Sequence, residues 1–120
     1  MGTFRVEQGS EERTFWLVGD LDLLSSDELV KYVMPALQGD GDLYLDVARL
    51  EFMDSAGVRA LITLCRALGD RGRVVLRSPG LEVTRLLELI RADTFPNLLV
   101  EGNGSAPWGS RSSDPDLTVA

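Results

Sequence analysis

The segment "LEFMDSAGVRALITL", residues 50 to 64, holds the hydroxyl of Ser55 between the carboxylate of Asp54 and the small residues Ala56 and Gly57. A hydroxyl in this setting can attack a substrate, line a phosphate-binding turn, cap a helix or be modified by another protein. Each of these roles needs different neighbours, so the rest of the chain decides among them.

Attack by Ser55 would require a positioned base and donors for an oxyanion. The chain contains no histidine and one lysine, Lys31, which excludes His-based triads and leaves only a Ser-Lys dyad. The G-x-S-x-G pattern of serine hydrolases also fails, because Met53 stands at the first glycine position. Without histidine, His-ligated zinc is excluded too. We therefore expect that the protein is not an enzyme and that it binds neither a metal nor a cofactor.

Nucleotide binding is a second possibility, because Asp54 and Gly57 match the D-x-x-G that follows a strand in GTPases. Two fixed positions are weak evidence. The chain lacks a G-x-x-x-x-G-K-[ST] loop, and Lys31 has no glycines before it. Little is left to hold a triphosphate.

Helix capping is the third possibility: the Ser55 Oγ is expected to accept from the N–H of Gly57 or Val58, which is worth about 1 kcal/mol. Capping does not explain Gly57, since glycine costs about 1 kcal/mol against alanine in a helix. A missing side chain would let another surface approach the hydroxyl. Two interpretations stay open, a cap alone and a hydroxyl presented to a partner.

The strands that must position this turn follow from their residue patterns. "TFRVEQ" and "RTFWLVGDL", separated by "GSEE", predict a hairpin, and the continuous apolar run of residues 15 to 18 predicts a strand covered on both faces. "DLYLDVARLEF" alternates with a period of two, "GRVVLRSPG" contains a short strand, and "FPNLLVEG" can supply a last one.

Three helices are predicted between these strands. The first has a capping box of Ser25 and Glu28, and Pro35 should kink it or end it early. The second begins around Ala56. The third has Ser78 and Pro79 at its cap and first position. The second helix is expected to bury one apolar face and to turn two arginines outward; these residues are Val58, Leu61, Ile62, Cys65 and Leu68, with Arg59 and Arg66.

The resulting order, β-β-α-β-α-β-α-(β), predicts a single α/β domain with a largely parallel sheet, in which loops at the carboxyl ends of strands engage ligands or partners. The domain is assigned to residues 1–102. Residues 103–120 are rich in Gly, Ser, Pro and Asp and are predicted to be a disordered tail.

The net charge of −7 is uneven: residues 1 to 54 hold 12 acidic and 4 basic residues. Acidic excess repels phosphates, so no direct nucleic-acid binding is expected. No apolar run is long enough to span a membrane and no secretory leader is present, which predicts a cytoplasmic protein without a membrane partner. The single cysteine, Cys65, is expected to be a buried and inert thiol.

Three stretches together resemble the STAS domain in the form found in bacterial anti-sigma factor antagonists. They are "LVGDLDLLSSDEL", "LYLDVARLEFMDSAGVRALITL" and "GRVVLRSPGLEVTRLLELI", and the resemblance runs over about residues 4 to 101. It implies a small mixed sheet with helices packed on one side.

The resemblance also implies a function. In that family the serine of the D-S-x-G turn is phosphorylated by a kinase that is itself the anti-sigma factor and uses ATP. The unphosphorylated antagonist binds the kinase and frees the sigma factor, and a serine phosphatase restores it. By position, Ser55 is the phosphoacceptor, Asp54 and Gly57 complete the turn with Ala56, and Asp22 of "GDLD" contributes to kinase binding. We expect Arg59 near the same interface, and a monomer or weak dimer.

Three residues depart from the family pattern: Asp20 replaces the usual Glu, Ser25 a common Thr, and Ala56 a frequent second Ser. None removes the phosphoacceptor, but they bear on which kinase is recognised. Two alternatives stay open. One is a STAS-type scaffold or sensory module that phosphorylation does not release, and the other is a small-molecule-binding STAS domain.

Overall fold

The structure is a computed structural model that describes residues 3–102. The predicted disorder of residues 103–120 lies outside the described residues. Five strands and three helices follow one another in the predicted order, with short 3-10 turns between some of them. The elements are β1 (Phe4–Gln8), β2 (Thr14–Leu21), α1 (Leu23–Val33), β3 (Leu43–Met53), α2 (Ser55–Leu68), β4 (Val74–Arg77), α3 (Leu81–Leu89) and β5 (Leu98–Glu101).

The sheet has the spatial order β1-β2-β3-β4-β5. The predicted hairpin is confirmed, since β1 pairs antiparallel with β2, and the remaining neighbours pair in parallel. Each parallel step moves in the same direction, and right-handed crossovers then place all three helices on one face. The prediction of a mixed α/β sheet with helices on one side is confirmed.

The core lies between the helices and this face. It is built from leucine and valine side chains whose spacing is two along the strands and three or four along the helices. Cys65 belongs to it, as predicted, with 6% of its surface exposed. Its largest fully buried side chains are Leu17, Leu21, Leu29, Leu43, Leu45, Leu61, Leu64, Leu68, Leu76 and Leu87.

The helix boundaries differ from the predictions in two places. The first helix is capped by Asp22, and Ser25 is its third residue, so the capping box predicted for Ser25 and Glu28 is wrong. The third helix is capped by Gly80 and not by Ser78, which has a φ of 57° and donates its N–H to the carbonyl oxygen of Glu101. Ser78 is therefore held by the edge strand.

Pro35 ends the first helix early, as predicted. Helix α1 stops at Val33, and the chain continues as a 3-10 helix over Met34–Leu37. Proline has no N–H to donate into an α-helical turn, so the tighter turn replaces it here.

None of the helices formed by residues 3–102 packs on the second face of the sheet. The prediction that residues 15 to 18 are covered on both faces is wrong, because Trp16 is 38% exposed. Two arginines from other strands cover its aromatic rings: Arg49 lies 5.3 Å from the Trp16 ring centroid, and Arg77 lies 4.2 Å from that of Tyr44. On this face, cation–π contacts with arginines cover the aromatic rings that helices would otherwise cover.

The pairing of β2 with β3 shifts register twice, between Trp16 and Val18 and again between Gly19 and Asp20. Beyond the second shift Leu21 pairs with Met53, and both are buried. These irregularities set which side chains face the helices at the carboxyl ends of the two strands.

Candidate functional site

The first turns of α1 and α2 start from the same point of the sheet. Leu21 ends β2 and pairs with Met53, the end of β3. Asp22 and Asp54 each follow one member of this pair, and the Asp54 N–H donates to the Leu21 carbonyl oxygen at 3.3 Å. The structure thus brings together the two acidic positions that the sequence analysis had assigned to one site.

Asp54, not Ser55, caps helix α2. Its backbone is extended, and its Oδ1 accepts from the N–H of Ala56 at 2.9 Å and of Gly57 at 3.2 Å. The expected role of Ser55 as the N-cap is therefore wrong. A carboxylate binds the positive end of the helix more strongly than a hydroxyl does, so the neighbouring aspartate takes the cap position.

Ser55 is the first residue of α2, and its side chain is exposed. Within residues 3–102, its hydroxyl makes no hydrogen bond to another group. The helix backbone sets the position of the Ser55 Cα, and the side chain is open to solvent. Its geometry suits a group that a second molecule approaches.

Gly57 is required by packing inside the chain. It is buried, and a Cβ at this position would lie 2.6 Å from the Met53 Cγ and 2.8 Å from the Leu21 carbonyl oxygen. The sequence interpretation that the missing side chain admits another surface is wrong, because Met53 and Leu21 occupy that space. Glycine allows α2 to begin close against the ends of β2 and β3.

Asp22 is the cap of α1 and is half-buried. Its Oδ1 accepts from the N–H of Leu24 at 3.1 Å and of Ser25 at 3.2 Å. The Ser25 Oγ accepts from the Asp22 N–H at 2.9 Å and lies 2.8 Å from the Asp20 carbonyl oxygen, to which it donates. In both caps the second carboxylate oxygen has no partner among the described residues. The edge of the site is therefore acidic.

Helices α1 and α2 enclose a groove of about 450 Å³ beside the Ser55 turn. One end carries Arg59, one turn after Ser55, and Lys31 comes from α1. The groove is lined by Leu23, Ser26, Asp27, Val30, Lys31, Ala56, Arg59, Ala60 and Thr63. Arg59 is exposed, as expected. Lys31 could not be assigned to this site from the sequence, because only the packing of α1 against α2 brings it to the same groove.

Three exposed apolar side chains near the two helix starts were also missed. Leu23 is 69% exposed, Leu24 is 82% exposed, and Phe52, next to Met53, is 47% exposed. A signal existed in the sequence, because Leu23 and Leu24 fall outside the spacing of the buried face that Leu29 and Val33 define. Exposed apolar residues in a cluster mark interaction surfaces.

The free thiol lies outside this site. Cys65 is on the buried side of α2, more than two turns from Ser55. Burial raises the pKa of the Cys65 thiol to about 11, so it stays protonated at neutral pH. Within residues 3–102, no group of three potential metal ligands is close enough to hold an ion.

Comparison with known proteins identifies the family. The family model described as "Mlab, STAS domain" matches residues 4–101, which is most of the chain. The chain belongs to the STAS-domain family. The STAS match covers both caps, the Ser55 turn and the groove.

Solved structures share the STAS fold. The anti-sigma factor antagonist SpoIIAA in its unphosphorylated form matches with a TM-score of 0.57 at 24% identity, covering 81% of this chain and 87% of that one. An antagonist from Mycobacterium paratuberculosis gives 0.62 at 22%, with 82% and 85% covered. The Bacillus cell fate determinant SpoIIAA in the phosphorylated form gives 0.59 at 21%, with 92% and 100% covered. At these identities the likeness shows the fold.

Two further observations complete the comparison. No match is found among curated proteins. In the part of the chain that the structure describes, every helix is too short or too polar to cross a bilayer.

Proposed function

We propose that this STAS domain is an anti-sigma factor antagonist. In its unphosphorylated form it binds an anti-sigma factor that is also a serine kinase, and the sigma factor is released. Phosphorylation of Ser55 ends this binding, and a serine phosphatase restores it. The chain itself is not an enzyme in this proposal: it is the substrate of both activities.

The observation that carries the proposal is the exposed Ser55 hydroxyl on a turn that is already formed. Asp54 provides the cap, so the hydroxyl is not needed to hold α2. A kinase can therefore modify it without unfolding the helix. The solved structures of SpoIIAA described as unphosphorylated and phosphorylated agree with such a role for the shared fold.

The chemical step takes place on the Ser55 Oγ. The oxygen attacks the γ-phosphorus of a nucleoside triphosphate bound to the kinase, a new O–P bond forms, and the bond to the β-phosphate oxygen breaks. The hydroxyl proton passes to a base of the kinase, and the nucleoside diphosphate leaves. The phosphatase reverses the modification with water and releases inorganic phosphate.

The phosphate should switch binding off by charge. It adds a charge of about −1.5 to −2 beside Asp54 and Asp22. Each acidic group of a docked partner that lies about 4 Å from the phosphate costs about 4 kcal/mol at an effective dielectric of ~20. About 2.8 kcal/mol already corresponds to a hundredfold loss of affinity. A partner surface that accepts the unmodified turn would therefore reject the phosphorylated one.

The fold should survive the modification. The phosphate lies at a helix N-terminus, where the helix dipole stabilises negative charge by about 0.3–1 kcal/mol. We therefore propose a change at a preformed surface, without refolding of the core.

The proposed partner surface surrounds Ser55. Asp22, Asp54 and Arg59 contribute charge, and the exposed Leu23 and Phe52 contribute apolar contact. Of the remaining assigned residues, Ala56 and Gly57 are buried, so we propose that they act by shaping the turn that the partner recognises.

The test is phosphorylation by candidate kinases from the same genome, followed by intact mass measurement. Wild type should gain one phosphoryl group and Ser55→Ala none. Ser10→Ala is the matched control, because Ser10 is also exposed and lies in the turn between β1 and β2; it should be modified like wild type. Equal modification of Ser55→Ala would refute the assignment.

Small-molecule binding is a second candidate function, favoured by one concavity. A groove of about 640 Å³ lies at the far end of α2, with mainly apolar walls that include Ile62, Cys65, Phe95 and Pro96. Its size falls in the range of ligand sites. Native mass spectrometry of the purified chain should then detect a bound compound, and Ile62→Trp should remove it. Absence of any adduct would favour the antagonist alone.

A further inference from the structure

Most basic side chains of this acidic protein are already engaged. Arg5, Arg73, Arg77 and Arg91 form ion pairs, Arg13 and Arg71 bind backbone carbonyl oxygens, and Arg49 covers Trp16. Four basic residues make no ion pair, side-chain hydrogen bond or cation–π contact within residues 3–102. These are Lys31, Arg59, Arg66 and Arg85.

Two of these four line the same groove. Arg59 is exposed on α2, and Lys31, which is exposed on α1, lines the same groove. Ser55 and Arg59 are four residues apart on one helix, a spacing that places Cβ atoms about 5–6 Å from each other. A guanidinium at this spacing can reach a group attached to the Ser55 oxygen.

The charges that face this position are of both signs. Asp54 stands at the cap, and Asp27 lines the groove from α1. Neither Asp27 nor Asp54 forms an ion pair with Arg59 or Lys31, so both cations are available for a new anion. A phosphate offers three acceptor oxygens, and a guanidinium can bind two of them in parallel.

We propose that Arg59, assisted by Lys31, binds the phosphate of phosphorylated Ser55 within the same molecule. The proposal rests on the phosphorylation of Ser55 proposed above and adds how the modified state is held. Arg59 is a positioning residue here: it fixes the phosphate against the α1–α2 groove.

The clamp gives phosphorylation a second effect on the partner surface. In the unmodified protein, Arg59 and Lys31 are free to meet acidic side chains of a partner. In the phosphorylated protein, the same cations are occupied by the phosphate. Modification would then add negative charge and withdraw positive charge in one event. It would lower the affinity for the partner more than charge repulsion alone does.

The experiment uses the full chain with phosphoserine placed at position 55 during synthesis, so that no kinase is needed. The probe is the ³¹P NMR titration of this phosphate, whose second pKa is ordinarily about 6. Nearby cations favour the dianion and lower that pKa, so Arg59→Gln should raise it by about 0.3–0.7. Lys31→Gln should raise it by less, and Arg59→Lys should fall between Arg59→Gln and the parent.

Arg66→Gln is the matched control, because Arg66 is an exposed and unpaired arginine on the same helix, about two turns beyond Arg59. It should leave the titration unchanged, and about 1 M salt should reduce the difference between the parent and Arg59→Gln. Circular dichroism confirms that each variant is folded. The clamp is overturned if Arg59→Gln and Arg66→Gln titrate alike.

The outcomes separate this inference from the proposed function. A titration shift without any kinase that modifies Ser55 would support the clamp and refute the antagonist mechanism. Efficient phosphorylation of Ser55 without a shift in Arg59→Gln would support the mechanism and refute the clamp.

Discussion

Helices α1 and α2 begin side by side, directly after the paired residues Leu21 and Met53, and each is capped by one oxygen of an aspartate. Their serines are placed differently. In α1 the relevant serine, Ser25, is the third residue; it is buried, and its Oγ accepts from the backbone N–H of Asp22. In α2 the serine is the first residue, where Ser55 is exposed.

The third residue explains the difference. In α2 this position is Gly57, and the Asp54 N–H donates instead to the Leu21 carbonyl oxygen of the neighbouring strand. The strand therefore supplies what the serine supplies in α1. The N–H of the capping aspartate is thus bound by a serine of the helix itself in α1 and by the neighbouring strand in α2. The serine of α2 is therefore not needed for this bond and can be presented to a partner.

The largest effect is expected from an attempt to make the two helix starts alike. Gly57→Ser introduces the α1 residue into α2, but its Cβ would overlap the Met53 Cγ and the Leu21 carbonyl oxygen. We expect a loss of about 2–3 kcal/mol in the free energy of unfolding, measured by urea denaturation. Gly80→Ser is the control, because a Cβ added there would meet no atom of the described residues within 4 Å apart from its chain neighbours; it should change stability by less than about 0.5 kcal/mol. Equal stability of Gly57→Ser and wild type would show that α2 can move away from the strands.

The next largest effect is expected from removing each capping aspartate, and the loss of stability should differ between the two helices. Asp22→Ala should cost about 2 kcal/mol, since it removes the acceptor of two N–H groups and a partner of Ser25. Asp54→Ala should cost about 1 kcal/mol. Thermal and urea unfolding measure both, and Asp54→Asn, which keeps a capping oxygen, should recover most of the loss. A larger loss for Asp54→Ala than for Asp22→Ala would contradict this account.

The serines themselves give the third prediction. Ser25→Ala should destabilise the protein by about 1 kcal/mol, because the half-buried N–H of Asp22 loses its acceptor. Ser55→Ala should stay within about 0.5 kcal/mol of wild type, because its hydroxyl makes no hydrogen bond to any other group of residues 3–102. The same unfolding measurements apply. Comparable losses for both variants would mean that Ser55 is structural.

The smallest effect concerns charge at the first residue of α2. Ser55→Asp should stabilise the fold by about 0.3–0.5 kcal/mol through the helix dipole, and salt should reduce the gain. Ser55→Asn has nearly the same shape without the charge and should show no such gain. If Ser55→Asp lowers the melting temperature relative to Ser55→Asn, the turn does not tolerate an anion.

The order of strands and helices could be predicted from the sequence because it depends on local periodicity. The alternation of Leu43, Leu45 and Val47 specified a strand, and the change to helical spacing after Ser55 specified a helix. The family resemblance predicts the Ser55 turn for a similar reason, since residues 54 to 57 are continuous along the chain.

The helix caps could not be predicted as easily, because two residues within three positions of each other compete at each one. Asp22 with Ser25 and Ser25 with Glu28 both have the spacing of a capping box. The choice is made by the pairing of Leu21 with Met53, a contact between distant parts of the sequence. The contact of Arg49 with Trp16 could not be predicted either, because it also joins two strands that are distant in the sequence.

The two register shifts in β2 and β3 have a consequence for how this site tolerates evolutionary change. A substitution within β2 or β3 alters one side chain at a time. Deletion or insertion of one residue there turns every later side chain of the strand to the opposite face. Leu21 or Met53 would then leave the core, and the attached helix start would rotate with it. The number of residues between the register shifts and the two capping aspartates should therefore vary less among functional relatives than the identity of those residues does.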